Sequence, residues 1–225
     1  MNCREYSFSF ALQYPEVPEI VSALFHTILL HRTLPTLDFK GGAVSYNSYL
    51  GIRDVDCKHV DLTYVCVNSS QLIEKVSSAV SVFAETLRRD SYSTNINGEV
   101  RGAINLEFVV NRKGGWLGPE ASVWERWIVN VCLKTINANE KEAYRCQLSS
   151  QLRDELCTIL EYFNSPSAYA PSLGSSQAET EHIIDFSMSG ISPYRFNITH
   201  LTTTSGQNRS GVSVTMRRIF KDVRL

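Results

Sequence analysis

A mixed α+β fold, with a largely antiparallel sheet and helices packed on one side, is predicted by three observations. Residues 6–14 alternate with period two, the pattern of a half-buried strand. Three long stretches carry apolar residues at three-and-four spacing, the pattern of helices with one buried face. Along the 225 residues the elements run strand, helix, strand, helix, two strands, helix, two strands. Helices segregated to one face of a mostly antiparallel sheet is the layer arrangement that this order supports.

In the first strand Tyr6, Phe8, Phe10, Leu12 and Tyr14 face one way and Ser7, Ser9, Ala11 and Gln13 the other. Pro15 and Pro18 end it and open a helix whose stripe is Val17, Ile20, Val21, Leu24, Phe25, Ile28 and Leu29. Pro35 closes that helix, because the residue before a proline is pushed out of helical geometry. Residues 36–53, rich in glycine, serine, asparagine and tyrosine, are expected as a loop. A strand over about 57–67 follows from Val60, Leu62, Tyr64 and Cys66 on one face. Ser69 or Ser70 can cap the next helix through a side-chain oxygen, and Leu72, Ile73, Val76, Ala79, Val80, Phe83 and Leu87 form its stripe. Arg88 and Arg89 end it, cations suited to the negative end of the helix dipole.

Residues 90–102 are expected as a second loop. Two strands then alternate through Ile104, Leu106, Phe108, Val110 and through Trp127, Val129, Val131, Leu133. Their connection through Gly114, Gly115, Trp116, Gly118 and Pro119 is too long for a tight turn and should project. The third helix, about 138–163, has Leu148, Leu152, Leu156, Ile159, Leu160 and Phe163 as its apolar line. Residues 165–180 are a low-complexity stretch, expected as a flexible loop because its composition offers little surface to offset the entropy of ordering. Strands near 194–199 and 211–217 complete the order, and residues 1–225 are expected to form one domain.

Lysine plus arginine number 22 against 23 acidic residues, a net charge of −1 that argues against a dedicated nucleic-acid binder. A hydrophobic fraction of 43% with 20% charged residues is globular composition and excludes wholesale disorder. The apolar runs fall short of the about 20 residues that span a bilayer, and the N-terminus lacks a signal-peptide layout, so a soluble, cytosolic protein is expected. The six cysteines (3, 57, 66, 132, 146, 157) include no Cys-x-x-Cys pair, which favours reduced thiols.

The motifs of phosphate-binding loops, dinucleotide folds and serine-hydrolase elbows are missing from the sequence. His26 and His31 lie about 140° apart on a helix and cannot share a metal, while Cys57 and His59 would be half a metal site at most. Cys57 or Cys66 with His26 is the arrangement that a thiol-dependent enzyme would need. Three features ask for a role. Trp116, among glycines, either tucks against its own domain or is displayed to a partner. The run Asp54-Val55-Asp56-Cys57 is either a solvated strand start or an acidic contact edge. In the tail Arg217, Arg218, Lys221 and Arg224 would share a helical face, either as a solvated end or as a contact for an acidic partner or anionic lipid.

Seven segments, in order and spanning nearly the whole chain, resemble the autophagy-related protein 101 family. They are Met1-Asn2-Cys3-Arg4, residues 24–32 from Leu24 to Arg32, Asp54 to Cys57, Thr63-Tyr64-Val65, Trp124-Glu125-Arg126-Trp127, Ser192-Pro193-Tyr194 and residues 215–222 from Thr215 to Asp222. The resemblance implies a HORMA domain, a sheet with three helices on one side and a projecting hairpin loop. It implies no catalysis and no cofactor. The family is a subunit of the autophagy-initiation kinase complex; it pairs with and stabilises the HORMA domain of autophagy-related protein 13 and recruits later factors at the phagophore assembly site. The family's Trp-Pro-Phe finger maps onto Trp116, with Leu117 in place of the proline and Gly118 at the phenylalanine position. The pairing contact is expected at His31 and Arg32 and at Asp54, Val55, Asp56 and Cys57. A HORMA adaptor of checkpoint or meiotic signalling, and a thiol-dependent enzyme, are the alternative expectations.

Overall fold

The computed structural model describes residues 3–40, 43–46, 49–93, 100–112 and 120–202. The first strand, β1 (Arg4–Leu12), leads through a 3-10 turn into α1 (Val17–His31). Short strands β2 (Thr33–Pro35), β3 (Leu37–Lys40), β4 (Ala43–Tyr46), β5 (Ile52–Asp56) and β6 (Thr63–Val67) precede α2 (Ser70–Ser93). The long strands β7 (Arg101–Arg112) and β8 (Glu120–Leu133) come next, then α3 (Lys141–Phe163), a one-turn α4 (Gln177–Thr180), β9 (Ile191–Pro193) and β10 (Phe196–Thr202). The fold is α+β, and its sheet pairings are mostly antiparallel.

The main sheet has the order β1-β8-β7-β10, with β1 parallel to β8 and the other pairs antiparallel. Its alternation is the one expected: Phe8, Phe10, Ile104, Leu106, Phe108, Trp127, Val129 and Val131 point into one apolar core. The long helices close that core from the same side. α2 presents Leu72, Val76, Val80, Phe83 and Leu87, and the Ser69 hydroxyl accepts from the Leu72 amide at its start. Helix and strand approach so closely at Gly102 that an added Cβ would lie 2.8 Å from Leu87 Cδ2 and 3.0 Å from the Leu201 carbonyl oxygen. On α3 the buried line is Tyr144, Leu148, Leu152, Ile159 and Tyr162, whereas Leu160 faces outward.

Several boundaries differ from the expectation. The 36–53 stretch holds the β3–β4 hairpin, paired Leu37 with Tyr46, and the start of β5. The expected strand over 57–67 is a turn followed by β6. The Cys57 amide donates to the Leu62 carbonyl, so Val60 and Leu62 imitate strand alternation from a turn that drops Val60 into the core. β5 and β6 make a separate two-stranded ribbon laid on α1, which is therefore buried on nearly every side rather than along one stripe. α2 runs on to Ser93, and the strand expected at 194–199 occupies 196–202. The strand expected at 211–217 and the tip of the β7–β8 hairpin lie outside the described residues.

The register of β7 on β8 shifts between Phe108 and Val109. Phe108 pairs with Glu125 and Val109 with Val123, so Trp124 is the extra residue of a bulge. A bulge re-aims side chains, and here Trp124 and Glu125, neighbours in sequence, are both buried.

Candidate docking edge and the ion-pair nest behind it

β5 pairs with β6 alone among the described residues, leaving its outer edge open. Ile52, Arg53, Asp54 and Asp56 are exposed on this ribbon, while Val55 and Cys57 are half-buried. Asp56 accepts from the Thr63 hydroxyl across the ribbon at 2.6 Å. In sequence before the two aspartates, Tyr46 (61% exposed), Tyr49 (86%) and Ile52 (59%) put apolar surface in water. Sequence reasoning missed this apolar component, because tyrosines in a polar stretch resemble ordinary loop composition.

The turn that follows β5 is held from two sides. Glu19, in the first turn of α1, accepts the Lys58 amide at 2.8 Å on one carboxylate oxygen and the His59 amide at 2.9 Å on the other. Its first oxygen also lies 3.0 Å from His59 Nδ1. On the opposite side the Asp61 amide donates to the Ser149 hydroxyl of α3 at 3.2 Å. Burial, with Glu19 and Asp56 beside it, pushes the Cys57 thiol up to about 11. A thiol so placed stays protonated at neutral pH, the reverse of an activated nucleophile. His26 offers it no base: the imidazole stacks on Tyr64 with ring centroids 6.0 Å apart, and burial with nearby Arg53 lowers it to about 4. Among the described residues no group of three or more His, Cys, Asp and Glu side chains could hold a metal.

His31 and Arg32, expected on the same contact, diverge. His31 is exposed at the end of α1 and stacks on Phe163 at 4.5 Å with 13° between planes. It lies about 18 Å along the helix from Glu19, so it and the Asp56–Cys57 end of the ribbon mark opposite ends of α1. Arg32, expected on the pairing contact, is buried in the chain, only 4% exposed. Its Nε and Nη2 donate to the two Glu125 carboxylate oxygens at 3.0 and 2.6 Å. Its guanidinium also lies over the Trp124 and Phe163 rings.

Glu125, fully buried, is the hub of a nest that the sequence did not announce. Arg4 approaches it at 3.3 Å, Trp127 Nε1 donates at 3.0 Å and the Tyr162 hydroxyl at 2.8 Å. Burial and the Glu125 charge together raise the Tyr162 phenol, which keeps it a donor. The two arginines reach beyond Glu125 into the low-complexity segment. Arg4 donates to the Ser167 and Tyr169 carbonyls at 2.5 Å each, and Arg32 donates to the Ala168 carbonyl at 3.3 Å. The segment's main chain is thereby tied down, with Ala168, Ala170 and Leu173 packed on the core. Trp116 and Leu117, expected as the recruiting finger, and Arg217, Arg218 and Lys221 of the tail lie outside the described residues. Among the described residues no helix is long and apolar enough to cross a membrane.

Comparison with known proteins adds a second line of information. A family model described as Autophagy-related protein 101 matches residues 10–177. The chain is 32% identical over 225 residues to Autophagy-related protein 101 of Xenopus tropicalis, with 99% of this chain and 98% of that protein covered. It is 31% identical to the Mus musculus protein of the same name and 30% to the Homo sapiens one, each over 226 residues with the same coverage.

Proposed function

The chain belongs to the autophagy-related protein 101 family and has an autophagy-related role, and from that premise we propose that it works as a non-enzymatic adaptor. In this reading it is a HORMA domain of the autophagy-initiation kinase complex, pairs with the HORMA domain of autophagy-related protein 13, and brings later factors to the phagophore assembly site from the cytoplasm. The observation that carries the reading is the open β5 edge, with Asp54 and Asp56 exposed and Val55 and Cys57 half-buried beneath them. An unpaired strand edge with an apolar centre and charged rim suits docking by a partner chain.

In the proposed pairing Asp54 and Asp56 steer encounter, Ile52, Val55 and the neutral Cys57 supply apolar contact, and His31 contributes at the far end of α1. Arg32 acts from behind, by holding Glu125 and the end of α1 in place. Stabilisation of the partner follows from linkage, because a ligand at about 100 times its Kd adds about 2.7 kcal/mol to the folded state it binds. The proposed finger is Trp116 with Leu117, and Arg217, Arg218 and Lys221 are proposed to touch an acidic partner or anionic lipid peripherally.

Co-expression tests the reading. Wild-type chain should co-purify with the HORMA domain of autophagy-related protein 13 at one-to-one stoichiometry. The Asp54→Lys/Asp56→Lys variant should lower affinity at least tenfold while leaving the melting temperature unchanged within a few degrees. A wild-type chain that stays monomeric beside micromolar partner defeats the pairing.

A further inference from the structure

We infer that Glu19 is the positioning residue of the docking edge, acting through the backbone of the turn at 57–62; the inference rests on the pairing proposed above.

Three observations carry it. First, both oxygens of one carboxylate are used on consecutive amides, Lys58 at 2.8 Å and His59 at 2.9 Å, although 39 and 40 residues separate donor and acceptor in sequence. Lys58 and His59 are themselves exposed, so the contacts do not arise from burial of their side chains. Second, apart from Glu19 the turn is tied by a short internal bond, the Leu62 amide to the Val60 carbonyl at 2.8 Å, and by three further contacts. The Cys57 amide to the Leu62 carbonyl at 3.0 Å extends the β5–β6 ribbon, Val60 fills the core, and the Asp61 amide reaches Ser149. Third, the clamp sits directly beside the edge it would control. Cys57 ends the Asp54–Cys57 run, and Glu19 is close enough to raise its thiol pKa.

A two-stranded ribbon is marginal by itself, so its order depends on what it rests against. Glu19 converts the turn from a segment that frays into one referenced to α1, the most buried helix of the fold. The edge then meets its partner already ordered, and the entropy of ordering it does not oppose binding. Glu19 does not itself belong to the proposed contact surface. Its influence on pairing is therefore indirect and is expected in the dissociation rate.

Hydrogen exchange of the full chain, together with binding to the purified HORMA domain of autophagy-related protein 13, tests this. In Glu19→Ala the Lys58 and His59 amides should exchange at least tenfold faster. The dissociation rate should rise about tenfold, while the melting temperature stays within a few degrees of wild type. Glu19→Gln retains an acceptor oxygen and should fall between the two. Ser149→Ala should free the Asp61 amide with a smaller effect on pairing. Unchanged exchange at Lys58 and His59 in Glu19→Ala overturns the inference. So does freed exchange with unaltered pairing, if Asp54→Lys/Asp56→Lys still lowers affinity at least tenfold; the docking reading then stands without the clamp. If the aspartate variant pairs normally, the docking reading fails and takes the clamp's role in pairing with it. Global unfolding of Glu19→Ala moves the test to Glu19→Gln, where wild-type exchange and a wild-type dissociation rate overturn the inference, and faster exchange at Lys58 and His59 with faster dissociation supports it.

Discussion

Glu125 is a charge placed where water cannot reach it, and its neighbours explain why the chain tolerates it. Two guanidinium donors of Arg32, the Arg4 guanidinium, an indole N–H and a phenol surround its two oxygens. Removing one side of such a set leaves buried charge without its counter-charge, at a cost of about 3–5 kcal/mol. Glu125→Ala should therefore lose stability in that range, read as a lower denaturant midpoint at constant m-value. His26 works in the opposite sense, being buried without a charge partner to keep it protonated. Its folded pKa of about 4 lies below the unfolded value of about 6.5. Between these values the unfolded chain binds the proton and the folded chain does not, so stability falls as pH drops from about 6.5 to 4, by about 3 kcal/mol. Replacing His26→Phe keeps a ring against Tyr64 and should flatten the difference in stability between pH 7 and pH 4.5.

At the scale of elements, local composition and tertiary anchoring disagree in one instructive place. The 165–180 stretch has the composition of a flexible linker, yet its main-chain carbonyls at Ser167, Ala168 and Tyr169 are held by Arg4 and Arg32. Carbonyls are common to every residue, so a segment bound by its backbone carries little trace of that binding in its side chains. Arg4→Ala removes two of these bonds, and limited proteolysis should then cut within 165–173 several-fold faster than in wild type, with the remaining helices protected. The stripe on α2 was readable because period 3.6 reports burial directly, whereas the stripe on α1 identified the helix but understated its burial. The β5–β6 ribbon was less readable. Val60 and Leu62 continue the alternation of β6 backward through a turn, and it is the Leu62 amide bonded to the Val60 carbonyl, with the Lys58 and His59 amides bonded to Glu19, that marks turn instead of strand. The bulge at Trp124 was illegible for a related reason: an extra residue in β8 is defined by its register against β7.

For the whole molecule, family membership and the open β5 edge bear on different questions, since one speaks to autophagy and the other to where a partner could sit. The proposed division of labour separates pairing at the ribbon from recruitment by Trp116 and Leu117. Trp116→Ala should then leave the complex with the HORMA partner intact in a pull-down and reduce capture of later autophagy factors. Loss of pairing instead would assign Trp116 to the interface. The two ends of α1, marked by Glu19 and His31, would make the pairing footprint long rather than compact, about 18 Å along the helix.

By itself the sequence determined the α+β class, the three long helices, the main strands and the family, because periodicity and ordered motifs are properties of the chain read one residue after another. The tertiary structure alone decided that Arg32 turns inward to Glu125, that Glu19 holds a turn 39 residues away, and that backbone carbonyls anchor a linker-like segment. Each of these depends on which distant groups share a low-dielectric interior or a hydrogen-bond distance, and such proximity has no periodicity to read.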